Sequence, residues 1–426
     1  MNTSTASTPS VPSSPAPAAV ARRFSWARFA AVAGPGMVVM LADTDAGSVI
    51  TAAQSGAQWG YRLLLLQIVL APVLFIVQEL TVRLGIVSGK GHGDLIEQHF
   101  GRGWALLSVG TLVLACVGAL LSELSGLAGV GLLFGVPAPL SMAVIVGALV
   151  LMAYTGSYLS VERIAMAIGA FELVFLVVAW RAHPDPAAMV SGALSIPWAN
   201  TNYLYLVAAN IGAVIMPWMV FYQQSAVVEK KLTVADLPAA RWDTAFGAVV
   251  TQVIMAAVLI ATAATLGAAG KGGVALDTVQ QIAQAITPFL GAGGGKILFA
   301  MGMSGAALVA TIVVTLTAAR SLGELLGVKH SLEHAPREAP WFYGIYTAAL
   351  VAGGVFVASG VNLVSLSVGV QVMNALLLPI VLGFLYLLAC RLPQPYRLSG
   401  AYAAVVALVI AASAGFGVYA GLSGIL

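Results

Sequence analysis

Charge is scarce in this chain. Of its 426 residues only 8% are Asp, Glu, Lys or Arg, whereas 60% are hydrophobic; a soluble domain carries about 25% charged residues. So little charge cannot clothe a surface in polar groups, which excludes an ordinary cytosolic enzyme and makes lipid the main solvent. Cysteine is nearly absent, and Cys116 and Cys390 both lie inside apolar runs, so neither a disulfide framework nor a cysteine-based metal cluster is expected. The net charge is only +3, too small to imply a nucleic-acid partner.

What the chain does have is a succession of apolar segments, each near the roughly 20 residues that cross a bilayer. Residues 1–23 form a Ser-, Thr-, Pro- and Ala-rich tail expected to be disordered, without the basic-then-apolar order of a signal peptide. From there to residue 426 the pattern predicts an all-α integral membrane protein. Its eleven crossings fall at roughly 30–58, 61–84, 103–134, 138–155, 158–180, 202–227, 242–268, 294–318, 341–358, 362–390 and 399–422. With the N-terminus inside and the spans alternating, 15 of the 19 Lys and Arg residues fall on the inner side. Only Arg62, Arg181, Lys271 and Lys296 remain outside. That asymmetry predicts a cytoplasmic N-terminus and an external C-terminus in a plasma (inner) membrane.

Two segments are interrupted at mid-depth. The first carries Ala42-Asp43-Thr44-Asp45-Ala46-Gly47-Ser48, and the sixth carries Gly212-Ala213-Val214-Ile215-Met216-Pro217. Such breaks free backbone groups that lipid cannot satisfy, so they survive only where they line a cavity. Breaks at corresponding places in two five-helix halves point to an inverted-repeat transporter with its site at the midplane. The expected division is 24–181 for the first repeat, 200–390 for the second and 398–426 for an extra helix. Gly291 to Lys296 looks like a phosphate loop, but Ile297 stands where Ser or Thr is required. No ATP site is expected, and an ion gradient is the driving force.

Asp43 and Asp45 sit in the first break with no Lys or Arg between Arg28 and Arg62. A carboxylate at mid-bilayer costs about 3 kcal/mol or more unless paired, so an imported cation is the natural partner; Asp45 also suits the N-cap of the following half-helix. Pro217 lacks an N–H and so frees the carbonyl of Ala213, one turn back, beside Met216. A carboxylate, a carbonyl and a thioether together suit a fairly soft divalent ion. Gln371 and Asn374, a turn apart in the tenth segment, offer amide oxygens to an ion or tie helices together. Glu123 is a candidate proton relay or secondary site beside the small-residue stripe Gly118, Ser122 and Gly126; the role of Glu172 stays open. His92, Asp94, Glu97 and His99, and likewise His330, Glu333 and His334, are expected to be solvated faces.

On these residues the sequence resembles the natural resistance-associated macrophage protein (Nramp) family of divalent-metal transporters. Asp45-Ala46-Gly47-Ser48 stands on the family's Asp-Pro-Gly-Asn, in register with Gly60-Tyr61. Gln78 to Lys90 (QELTVRLGIVSGK) resembles its second helix and following loop. Ala213 to Pro217 matches Ala-x-x-Met-Pro, and Gln371, eight residues before Pro379, matches the tenth-helix glutamine. The resemblance implies a LeuT-like fold with broken helices 1 and 6. It implies a metal held by Asp45, Ser48, the Ala213 carbonyl, Met216 and, in some states, Gln371. Mn²⁺ or Fe²⁺ is then the transported substrate, with no resident cofactor and no enzymatic activity.

Three departures mark a divergent, Nramp-related branch. Trp218 replaces the histidine that follows Met-Pro, and its ring is a candidate gate on the inner route. Gln223-Gln224-Ser225 stands where His-Ser is usual, and Glu123 is the lone acid of the third helix, where the family has two. Those positions form the family's proton route, so proton coupling stays open. The alternative is a Mg²⁺ or broad-range divalent carrier without it. A sodium-coupled solute symporter and a metal-binding scaffold are the remaining readings.

Overall fold

The computed structural model describes residue 32 and residues 34–155, 158–268, 273–287, 292–329, 331–332 and 334–425. The expected N-terminal tail, Lys271, His330 and Glu333 lie outside the described residues. Among the described residues the regular structure is entirely helical.

The first interrupted segment forms α1 (Pro35–Asp43) and α2 (Ala46–Trp59), followed through the 3-10 turn Gly60–Leu63 by α3 (Leu64–Ser88). A short α4 (His92–Phe100) leads to α5 (Arg102–Leu133) and α6 (Ala138–Thr155). Next come α7 (Tyr158–Gly169), a 3-10 turn (Ala170–Leu173), α8 (Val174–Arg181) and α9 (Pro186–Leu194). The second interrupted segment gives α10 (Thr201–Val214) and α11 (Pro217–Glu229). The remainder is α12 (Leu237–Ala268), α13 (Val279–Ile286), α14 (Ala292–Leu326), α15 (Pro340–Ala358), α16 (Leu363–Ala389) and α17 (Gly400–Ile425).

By length and composition nine helices among the described residues are apolar enough to cross a membrane, or ten with the bent pair Met166–Arg181 and Pro186–Leu194. The difference from eleven lies partly in the run Ala46–Ser88, which counts as one helix of 43 residues. At 1.5 Å per residue that is about twice the hydrocarbon thickness, and Gly60, at φ +59°, interrupts it. Dividing it there and counting the bent pair once recovers the expected spans. The fifth segment is not the continuous helix 158–180 of the sequence reading: a 3-10 turn interrupts it, and the chain turns by 105° into α9.

Helix starts follow local chemistry. Asn200 accepts from the Tyr203 amide (3.2 Å) to begin α10, and Asn362 accepts from that of Ser365 (2.9 Å) to begin α16. The α10–α11 stretch is the most enclosed, with 94% of its most apolar window buried, against 22% for α6 and for α17. The broken segment therefore runs through the middle of the bundle, while α6 and α17 lie at its edge. It packs on α16 and α17, while α12 holds α1, α2 and α3 from the other side. This brings the two breaks face to face.

Candidate substrate site

The first break is built by two incompatible cap geometries. The chain leaves α1 at Thr44 (φ −76°, ψ 46°) and extends through Asp45 (φ −70°, ψ 172°), whose Oδ1 accepts from the Ser48 amide at 2.6 Å. At the second break Ile215 and Met216 are extended (ψ 88° and 139°), and Pro217 opens α11. With no N–H on Pro217, the Ala213 carbonyl loses its helical donor, and the Ser48 hydroxyl donates to it instead at 3.0 Å. One bond thus joins the two interruptions.

Around that bond lie most of the residues singled out from sequence. Asp45, Ser48, Met216, Trp218, Gln371, Asn374 and Glu123 are all 0% exposed, so the site is closed to solvent on both sides. Gln371 Nε2 donates to Asp45 Oδ1 at 3.4 Å, and Asn374 Nδ2 donates to Gln371 Oε1 at 2.9 Å. In this conformation Gln371 turns its N–H toward Asp45, and it must turn over to offer that neighbourhood an oxygen. Glu123 Oε2 accepts from the Ala46 amide at 2.9 Å, and its carboxyl group meets that of Asp45. The glycine stripe beside it is a packing face. A Cβ on Gly126 would meet Ala46, one on Gly118 would lie 2.7 Å from Met373, and Ser122 Oγ comes within 2.7 Å of a Cβ on Gly47.

Trp218 lies inside the bundle and donates from Nε1 to Met216 Sδ at 3.3 Å. It therefore touches the candidate sulfur ligand directly.

Several oxygens here have no hydrogen-bond partner: Asp45 Oδ2, Glu123 Oε1, Asn374 Oδ1 and both carboxylate oxygens of Asp43. Orphaned buried acceptors are costly, and an ion of positive charge would satisfy them. The breaks also carry the Ala213 carbonyl and the Met216 thioether, buried like Asp45. Among the described residues no group of three or more His, Cys, Asp or Glu side chains is arranged to hold a metal.

One sequence expectation is corrected. His92 is not on a solvated face: it is 0% exposed, its Nδ1 lies 2.9 Å from Gln224 Oε1, and its ring packs edge-on to Phe221 at 4.8 Å. Burial pushes the imidazole down to about 4 from 6.5. Asp94, Glu97 and His99 are exposed as expected. Gln224 also donates to the Lys90 carbonyl (3.0 Å), and Gln223 donates to Thr244 (2.9 Å). The two glutamines thus clamp α11 to its neighbours.

Sequence reasoning overlooked three polar devices. Asp243 on α12 accepts from the amides of Gly34 (3.2 Å) and Gly36 (2.8 Å), capping α1 from across the bundle. Glu79, 3% exposed, pairs with Arg83 (2.5 Å) and Arg241 (2.6 Å). Asn210 accepts from Gln67 (2.6 Å) and donates to Ser55 (2.8 Å). Only Glu79 had a readable signal, an acid four residues before Arg83 in an apolar helix.

A family model described as natural resistance-associated macrophage protein-like matches residues 36–423. A divalent metal cation transporter MntH of Xanthomonas campestris pv. campestris is 31% identical over 310 residues, covering 68% of each chain. Among solved structures, the Eremococcus coleocola manganese transporter in complex with an aromatic bis-isothiourea compound superposes with a TM-score of 0.72 at 19% identity. That match covers 94% of this chain and 88% of the other. MhsT in complex with L-phenylalanine superposes with a TM-score of 0.58 at 14% identity over 92% of this chain and 98% of that one. The architecture is therefore that of LeuT-like transporters.

Proposed function

The chain belongs to the natural resistance-associated macrophage protein family, and from that premise we propose that it imports a divalent transition-metal ion, Mn²⁺ or Fe²⁺, across the plasma (inner) membrane by alternating access. The observation that carries this reading is the junction of the two broken segments. Asp45, the Ala213 carbonyl and Met216 lie at the two breaks, sealed from solvent, with Asp45 facing the Glu123 carboxyl and no cationic side chain among the described residues paired to it. The relatives named for divalent-metal and manganese transport support the same substrate class.

The ion loses part of its water and gains a carboxylate, a carbonyl and a sulfur. A thioether adds little for Mg²⁺ or Ca²⁺ and more for later divalent ions, so Met216 sets the preference. Ser48 holds the Ala213 carbonyl in place while leaving its second lone pair free. Gln371 joins once its amide turns over, with Asn374 as its hinge partner. Glu123, against Asp45, is the group placed to take a proton when the ion binds. Trp218 closes the inner route beside Met216. One bundle of helices rocks against the rest; the chain comprises two five-helix repeats, 24–181 and 200–390, with 398–426 as an added helix, and the N-terminus faces the cytoplasm.

The Mg²⁺ or broad-range reading keeps one supporting observation: none of Trp218, Gln223 and Gln224, in the stretch after Met-Pro, has a titratable side chain. Mn²⁺ flux into proteoliposomes, with internal pH recorded at the same time, tests both. The expected result is Mn²⁺ accumulation that Asp45→Ala abolishes and millimolar Mg²⁺ does not suppress. Wild-type flux in Asp45→Ala would overturn the site, and suppression by Mg²⁺ would favour the alternative.

A further inference from the structure

A second set of buried oxygens lies at the end of α1, beside the first break, and none of the transport steps above uses it. Asp43 closes α1 and Glu172 lies in the 3-10 turn Ala170–Leu173; they are 1% and 0% exposed. Neither carboxylate oxygen of Asp43 has a hydrogen-bond partner, and the Glu172 carboxyl meets the Thr44 hydroxyl alone. The Glu172 carboxyl comes up to Thr44, the residue after Asp43. Thr44 Oγ1 lies 3.4 Å from both the Met40 carbonyl and Thr251 Oγ1, and Thr251 donates to the same Met40 carbonyl. The Glu172 carboxyl, two hydroxyls and a main-chain carbonyl thus gather at the end of α1, with Asp43 the residue before Thr44. The cluster sits at the C-terminal end of a half-helix, where the backbone dipole favours positive charge. No ion pair among the described residues reaches either acid.

We propose that Asp43, Glu172, Thr44 and Thr251 form a second cation site, distinct from the Asp45–Met216 junction, that takes a hard divalent ion such as Mg²⁺ or Ca²⁺. Every donor is oxygen, the ligand set that magnesium and calcium prefer, whereas the junction adds sulfur. Charge gives the valence. Asp43 and Glu172 are two buried acids without a cationic partner among the described residues, and a doubly charged ion would offset both. The bound ion would tie α1 to α12 and to the fifth segment, so its occupancy would bear on how freely the half-helix α1 swings. This inference rests on the transport reading for its first site but not for its chemistry.

Equilibrium binding to the purified full-length protein in detergent separates the two sites. The probes are Mn²⁺, Mg²⁺, Ca²⁺ and Na⁺, each alone, on the wild type, Asp45→Asn, Glu172→Gln and Thr251→Val. The expected result is that Asp45→Asn loses Mn²⁺ at the junction yet keeps a Mg²⁺ or Ca²⁺ site. Glu172→Gln loses that hard-ion site and keeps Mn²⁺ binding. Thr251→Val retains both acids and nearly the same shape, so it decides the matter if Glu172→Gln does not fold; its hard-ion affinity falls roughly tenfold. Hard-ion binding unchanged in Glu172→Gln or Thr251→Val, or lost together with Mn²⁺ in Asp45→Asn, would overturn the second site. So would Na⁺ binding there in place of the divalent ions. Failure of the wild type to bind Mn²⁺ counts instead against the transport reading.

Discussion

The indole N–H of Trp218 donates to the sulfur of Met216 at 3.3 Å, in a pocket that excludes solvent from both. The side chain expected to grip a soft ion is therefore already engaged by a neighbour two residues away. A donor on the sulfur withdraws electron density that would otherwise reach a metal, so binding competes with this contact. Sulfur is a weak acceptor, which puts the bond near the low end of the net range of about 0.5–1.5 kcal/mol. Trp218→Phe, which keeps an aromatic ring and removes the donor, is expected to tighten Mn²⁺ binding about two- to threefold. Calorimetry on the purified variant checks this, and weaker binding would show that the indole orients the sulfur instead.

On the proposed reading Met216 decides between soft and hard ions. Met216→Ala is expected to leave the Asp45 carboxylate and the Ala213 carbonyl in place while removing the donor that Ca²⁺ and Mg²⁺ use least. The ratio of Ca²⁺ or Mg²⁺ flux to Mn²⁺ flux should therefore rise, mainly through loss of Mn²⁺ flux. An unchanged ratio in proteoliposomes would remove sulfur from the ligand set.

The interruptions were readable in the sequence because backbone chemistry announces them locally. Pro217 cannot donate, and Asp45 is a cap by type. Apolar length announced the remaining spans. The polar contacts across the bundle were not readable, since they join residues far apart in sequence: Ser48 with Ala213, Glu172 with Thr44, Asp243 with Gly36. His92 was misplaced for a related reason. Its neighbours Asp94, Glu97 and His99 suggest a wet face, but on a helix only one side is wet, and His92 lies on the side that meets Phe221 and Gln224. The fifth segment misled because hydropathy does not register a 3-10 turn.

Buried His92 gives the protein a pH dependence separate from any proton coupling. Its folded-state value of about 4 lies below the ordinary 6.5, so the unfolded chain binds the extra proton first as pH falls. The stability held by the neutral ring is fully present above pH 6.5 and is lost progressively as pH drops toward 4. At pH 5 the loss is about 2 kcal/mol. His92→Gln is expected to flatten the fall in melting temperature between pH 6.5 and 4. A fall as steep as in the wild type would place the acid sensitivity elsewhere.

Gly212 tests whether the site depends on close packing of α10 against α16. A Cβ at this position would overlap the main-chain oxygen of Gln371 and lie 2.7 Å from the Ala375 amide nitrogen. Backbone cannot yield as a side-chain tip can, so the helices must part and carry Gln371 away from Asp45. Gly212→Ala is expected to cost about 1–3 kcal/mol, the usual range for overpacking, and to reduce Mn²⁺ affinity as well as stability. Gly383, on the same α16, has open space for 4 Å around the position a Cβ would take, so Gly383→Ala should gain about 0.5–1 kcal/mol from helix propensity alone. Melting temperatures moving in opposite directions for the two variants would tie the effect to the α10–α16 contact. A shared direction would mean that glycine content, not that contact, governs the stability of α16.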